Sequence, residues 1–505
     1  MPQQDRRGLS RSDAGFVAAL FVALLAAASL PLVLTDIAPL VDYPNHLARM
    51  YLLAMLDQSP ALRQFYVAAW RPIPDLAMDV LVPPLLHFMS LATAGKAFIA
   101  ATFFLLAGGA AALHHAVFRR WSAWPLLAFL LLYNRLLLWG FLNYLFGLGL
   151  AFWALAAWIM LRGRPDAPRF VVGCVLALAV YFAHLMAFGV YGAMILGYEL
   201  GLLRRERPAW PAAIRALAIA WLPFVLPLAL FALVGGAAPA AFVFGDPWRK
   251  FDLLFSVFDN YDRAFDVACF AVAVAGLAVA FWRGWVRLAP AIAGPLIVLA
   301  AIYLLMPSEL FGATGADRRL PLVLALLLVA GSDWRSPSRR ARRIFLWAAL
   351  ALFVLRLGAV AASWQASGAT YARLLAGLDT LPEGSRVAIA FPGDVLNVEA
   401  TPLVHLPVLA AARRAAFVPT LFVYANQQPI GFTHDYAALA RSLSADALWR
   451  HFVVGQALDA ETAAALPRCD AIVFVGKHPF TLRDSTGLEE QFAAPRFQIY
   501  RIVRR

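Results

Sequence analysis

Apolar runs of helical length, broken by short polar stretches, fill the chain from about residue 14 to about residue 363. By hydropathy they fall at 15–35, 95–117, 121–139, 143–161, 170–183, 184–203, 216–234, 264–282, 288–306, 319–333 and 344–362. Segments this long and this uniformly apolar predict membrane-crossing α-helices rather than one-sided surface helices. After about residue 364 the pattern changes. Short β-type runs at 386–391, 417–423, 471–475 and 497–503 alternate with helix-like stretches at 401–414, 435–451 and 459–466, the signature of a small α/β domain. Residues 36–94 form a long polar loop after the first span. Its amphipathic pieces at 46–56, 61–69 and 76–89 are separated by Pro60, Pro72, Pro74, Pro83 and Pro84 and predict helices lying on a membrane surface. The expected fold is a polytopic α-helical membrane protein of about eleven transmembrane helices (1–363, with 36–94 as its first external loop), followed by an α/β domain (364–505).

Composition supports this class. The 505 residues are 62% hydrophobic and 14% charged, against roughly 25% charged in soluble domains. The net charge of +13 falls in short arginine clusters between apolar runs: Arg6/Arg7/Arg11, Arg119/Arg120, Arg162/Arg164/Arg169, Arg204/Arg205/Arg207, Arg283/Arg287 and Arg335/Arg339/Arg340/Arg342/Arg343. Neighbouring clusters bracket two spans each, so a positive-inside bias accounts for the charge and no nucleic-acid partner is implied. That parity places the N-terminus in the cytoplasm as a retained anchor. It puts the loop 36–94 and the domain 364–505 on the opposite, extracytoplasmic face. Residues 170–203 must cross twice, yet about 34 residues at 1.5 Å rise reach about 51 Å, short of the ~60 Å of two full spans. A broken hairpin turning near His184 satisfies both constraints. Three cysteines, spread over two apolar runs and the tail, show no disulfide framework.

The polar residues that matter are few. Asp36 and Asp42-Tyr43-Pro44-Asn45-His46-Leu47-Ala48-Arg49 follow directly on the first span. Ionisable groups at a bilayer edge are costly and usually functional. Asp42 and His46 have the i, i+4 spacing of one helical face, with Pro44 in a first turn. Asp42 suits either an N-cap or a carboxylate base, and His46 either packing against Asp42 or chemistry. Asp75 and Asp79 are a solvated face, a second acid or weak metal-ligand candidates. Arg318 and Arg319 break the charge pattern, since they stand at a span start on the extracytoplasmic side. They could pair with Asp317, or hold a phosphate through bidentate guanidinium bonds. His184 is a packing residue or a cavity-facing ligand. No phosphate-binding Gly-Lys loop and no dinucleotide glycine fingerprint is present, so no nucleotide cofactor is expected.

The arrangement resembles the GT-C superfamily of integral-membrane glycosyltransferases. Asp42-Tyr43-Pro44-Asn45-His46-Leu47-Ala48-Arg49 is similar to the acidic motif of bacterial members related to protein mannosyltransferases and lipid A aminoarabinose transferases. Tyr43 stands where many relatives carry a second acid. The resemblance implies an inverting glycosyltransferase that takes its sugar from a polyprenyl-phosphate donor in the membrane lipid and passes it to an envelope acceptor of unspecified identity. On that reading Asp42 is the general base, with Asp36 and His46 in support. Arg318 and Arg319 stabilise the donor phosphate, with Arg49 and His184 as reserves, and a divalent metal stays open. A transporter or flippase for a lipid-linked saccharide, or a non-catalytic envelope assembly protein, would show the same architecture.

Overall fold

The computed structural model describes residues 11–234, 242–310, 313–336, 338–393, 403–424 and 427–503. Arg6 and Arg7 of the first basic cluster lie outside them. The helices of twelve residues or more are α1 (Arg11–Val33), α2 (Tyr43–Met55), α3 (Leu91–Phe118), α4 (Leu142–Met160), α5 (Asp166–Ala183), α6 (Leu185–Glu206), α7 (Trp210–Val234), α8 (Arg263–Trp282), α9 (Pro290–Leu305), α10 (Leu320–Gly331) and α11 (Arg339–Leu378). Eight of these, all but α2, α9 and α10, are long and apolar enough to cross a membrane. The protein is therefore a multi-pass membrane protein.

Three expected spans are shorter or irregular. The 121–139 run is a 3-10 helix, Trp124–Leu131, opened by Pro125, and then a short helix, Arg135–Trp139. Asn134 stops the first piece and starts the second, its side chain accepting from the backbone N–H groups of Leu136 and Leu137. Gly140, at φ 88°, ends it. Hydropathy registers none of this punctuation, because one asparagine barely alters a window average. The other two are α9 and α10.

Contacts divide the chain into two compact units. The first contains residues up to Pro31, Pro72–Ala77 and Ile99–Ser363, the bulk of the apolar helices. Here α5 and α6 are separated by a single extended residue, His184 (φ −170°, ψ 131°), the break that the span-length argument requires. Helix α6 crosses α9 at a glycine pair. A Cβ added to Gly197 would come within 2.6 Å of the Gly294 carbonyl oxygen, so the two backbones touch directly. Small residues at such crossings allow the close packing that drives helix association in lipid.

The second unit contains Leu32–Arg71, Met78–Phe98 and Trp364–Arg505. Grouping by sequence put 36–94 with the membrane module. By contact, most of that loop groups with the tail. Tyr66–Ala68, in the stretch expected to be helical to residue 69, is a strand paired antiparallel with Ile430–Phe432. The helix α11 does not stop where its apolar run stops. Trp364, Tyr371, Leu374 and Leu378 continue at helical spacing and are all buried, so packing carries the helix beyond the apolar stretch.

The tail sheet consists of β1 (Val387–Ala390), β2 (Ala471–Val475), β3 (Leu488–Ala494) and β4 (Phe497–Ile502) in the order β3-β4-β2-β1. The β1–β2 pair is parallel and the others antiparallel. Ala388, Ala390, Ile472, Phe474, Leu448 and Phe452 form its core. The expected strand 417–423 is reduced to one bridge, Phe417 to Arg386. Pro419 has no N–H to donate to a ladder. Strand β3 was missed because it is a largely exposed edge strand whose sequence, LEEQFAA, carries three polar residues in a row and no apolar–polar alternation.

Candidate functional site

In the second unit, α2 begins at Tyr43 with Pro44 in its first turn, where the ring's fixed φ suits the helix and its missing N–H costs nothing. Asp42 occupies the N-cap position but makes no capping hydrogen bond. Its backbone is helical (φ −84°, ψ −7°), not the extended conformation that aims a capping side chain back at the first turn. The Asp42 carboxylate, 23% exposed, instead lies 3.6 Å from the imidazole Nε2 of His405. The other ring nitrogen of His405 is 3.0 Å from the Asn45 amide nitrogen, and the Asn45 amide oxygen accepts from the backbone N–H of Phe422 at 2.9 Å. Burial pushes the His405 pKa down to about 4, so this imidazole is neutral at pH 7.

One turn along α2, Arg49 is buried against Asp79, with Nε donating to Oδ1 at 2.5 Å and Nη2 to Oδ2 at 3.1 Å. Nη2 also lies 3.1 Å from His46 Nδ1. Arg49 Nη1 is buried and has no hydrogen-bond partner among the described residues. A buried guanidinium with a spare donor is a place where an anionic or carbonyl oxygen would be bound strongly. Asp36 is exposed at the rim of a cavity of about 170 Å³ lined also by Thr35, Gly368 and Ala372.

In the first unit, Asp75 adopts φ 71°, a left-handed conformation uncommon outside glycine. Its carboxylate accepts from the backbone N–H of Leu185 at 3.1 Å, and its own carbonyl accepts from Asn143 at 2.5 Å. His184 Nδ1 accepts from Met186 N–H at 3.0 Å. Asp75 and His184 thus jointly cap the start of α6, satisfying N–H groups that would otherwise be orphaned in the hairpin. Arg319 is buried and donates to the carbonyls of Thr314 and Gly315 at 2.9 and 2.8 Å, its guanidinium 4.4 Å from the Phe141 ring centre. Arg318 stacks over Trp139 at 4.5 Å and has no carboxylate or carbonyl partner among the described residues. The ion-pair partner of Asp317 among the described residues is Lys250, at 3.0 Å.

These placements sort the expected residues. Asp42, His46 and Arg49 lie on consecutive turns at the start of α2, with Asp79 beside them. Asp75 and Asp79 are each engaged, one with a helix start and one with a guanidinium. Among the described residues no three acidic, histidine or cysteine side chains converge to hold a metal ion. The sequence reading missed His405 and Lys250. A histidine inside the apolar run Leu403-Val404-His405-Leu406-Pro407 was a signal of a buried imidazole. Lys250 was equally visible as one of three lysines in a chain that otherwise uses arginine.

The fold is ArnT-like. The crystal structure of ArnT from Cupriavidus metallidurans bound to undecaprenyl phosphate is similar over 96% of this chain and 98% of that one, with a TM-score of 0.50 and 14% sequence identity. At that identity the likeness concerns architecture. No protein-family model and no curated protein matches the sequence.

Proposed function

We propose that this protein is an inverting GT-C-type glycosyltransferase that moves a sugar from a polyprenyl-phosphate donor to an envelope acceptor. The observation that carries the reading is the Asp42 carboxylate: it follows the first span in a chain of ArnT-like fold and is not used to cap the helix it precedes. The donor reading is supported by the undecaprenyl phosphate named in the ArnT structure. In this proposal Asp42 takes the proton from the acceptor hydroxyl as that oxygen attacks the anomeric carbon. The bond to the phosphate breaks in the same displacement, and polyprenyl phosphate leaves. Arg49, whose Nη1 is unpartnered among the described residues, is the proposed cation for phosphate charge in the unit that holds Asp42; Arg318 is proposed separately as a candidate for that role. Arg319 and His184 support the fold instead, given the carbonyls and N–H group they already serve.

The three shorter apolar helical segments, Trp124–Trp139, α9 and α10, are proposed to complete eleven crossings of a bacterial inner membrane. The N-terminus and basic clusters would then be cytoplasmic, and residues 36–94 and 364–505 extracytoplasmic. The test is release of undecaprenyl phosphate by the purified protein in lipid nanodiscs, from a panel of undecaprenyl-phosphate hexoses and pentoses offered with envelope lipid extract. Enzymatic release supports the reading. Binding without release from any donor, the behaviour of a flippase, contradicts it.

A further inference from the structure

We infer that Asn45 fixes the tautomer of His405, and that His405 is thereby a positioning residue that presents an Nε2–H donor to Asp42 and holds it as an oriented carboxylate. The inference rests on the reading of Asp42 as the base, and adds what keeps that base ready.

Phe422 N–H donates to Asn45 Oδ1 at 2.9 Å, which fixes which end of the amide is oxygen. The NH₂ end then faces His405 Nδ1 at 3.0 Å. An amide nitrogen has only protons to offer, so Nδ1 accepts, and a neutral imidazole that accepts at Nδ1 carries its proton on Nε2. Nε2 is the atom 3.6 Å from Asp42 Oδ1, so the donor faces that carboxylate at a distance just beyond a hydrogen bond. His405 is buried, with the Phe422 ring at 5.1 Å. The titratable and charged side chains that follow on α2 are His46 and Arg49, the latter paired with Asp79.

The neutrality of the ring matters. A hydrogen bond from a neutral donor favours the carboxylate over the acid, which suits a group that must accept a proton. An imidazolium in the same place would neutralise that charge and bind it in an ion pair. The pair is therefore arranged as donor and base rather than as a salt bridge. Asn45 sets it from 360 residues away in sequence.

The test uses the full-length protein in nanodiscs and needs no substrate. Dicyclohexylcarbodiimide modifies protonated carboxyl groups, so the pH midpoint of Asp42 modification, read by peptide mass spectrometry, reports its proton affinity. His405→Phe should raise that midpoint by about one pH unit, while His405→Gln, which keeps an N–H near the Nε2 position, should remain close to the wild type. His405→Met, a more adaptable side chain, gives the same reading should the phenylalanine variant not fold. An unchanged midpoint in His405→Phe or His405→Met overturns the inference. So does a His405→Gln shift as large as theirs, because packing and not the donor would then be responsible. Transfer by Asp42→Asn is scored separately. If it persists while the midpoint moves as expected, the donor geometry stands and the catalytic reading of Asp42 falls.

Discussion

Arg49 and Asp79 form a two-point ion pair with almost no exposure on either side chain, Nε to Oδ1 at 2.5 Å and Nη2 to Oδ2 at 3.1 Å. Removing one partner of such a pair strands a buried charge. Asp79→Ala should therefore destabilise the protein by about 3–5 kcal/mol, measured as a shift in detergent-solubilised thermal unfolding. A loss under about 1 kcal/mol would mean that solvent reaches Arg49.

The two adjacent arginines should behave differently. Arg319 is committed to the Thr314 and Gly315 carbonyls, so Arg319→Ala should lower stability. Arg318→Ala should leave unfolding unchanged and weaken binding of undecaprenyl phosphate about 10- to 100-fold, the loss of one charge-assisted contact. Equal donor affinity in Arg318→Ala and wild type would remove Arg318 from the proposed phosphate site.

The Gly197–Gly294 crossing sets a limit on α6 and α9. Gly197→Ala drives a methyl group against the backbone of the facing helix, where neither side can rotate away. The expected cost is about 1–3 kcal/mol, read from thermal unfolding of the variant. Gly189→Ala is the control, since a Cβ there meets nothing within 4 Å.

His405 gives a pH signature. Its folded-state pKa is depressed to about 4, against about 6.5 unfolded. Its contribution is therefore full above pH 6.5 and lost as the pH falls from 6.5 to about 4. Over that window the wild type should lose about 3 kcal/mol relative to His405→Gln, at about 1.4 kcal/mol per pH unit. Parallel stability-against-pH curves for the two proteins would show that the imidazole is solvated.

What could be read from the sequence depended on whether a feature is local. The spans were visible because lipid demands long apolar runs, and the His184 break followed from counting residues against bilayer thickness. Strands β2 and β4 were visible as β-branched and aromatic runs, and the start of α2 as Pro44 after Asp42. The Asn134 interruption was invisible because its cause is a single side chain. The continuation of α11 through Trp364–Leu378 was hidden because burial, not propensity, sustains it. Of the site, the chain around Asp42 shows its candidates directly. Its partner does not, because nothing near His405 in sequence announces an aspartate on α2.

The central claim is that Asp42 is the general base of sugar transfer from a polyprenyl-phosphate donor. Its most direct test compares wild type and Asp42→Asn, reconstituted with the donor that supports release of undecaprenyl phosphate. Both initial release rate and donor affinity are measured. The account predicts a rate about 10²–10⁴-fold lower with donor affinity unchanged. Release by Asp42→Asn at close to the wild-type rate would contradict it.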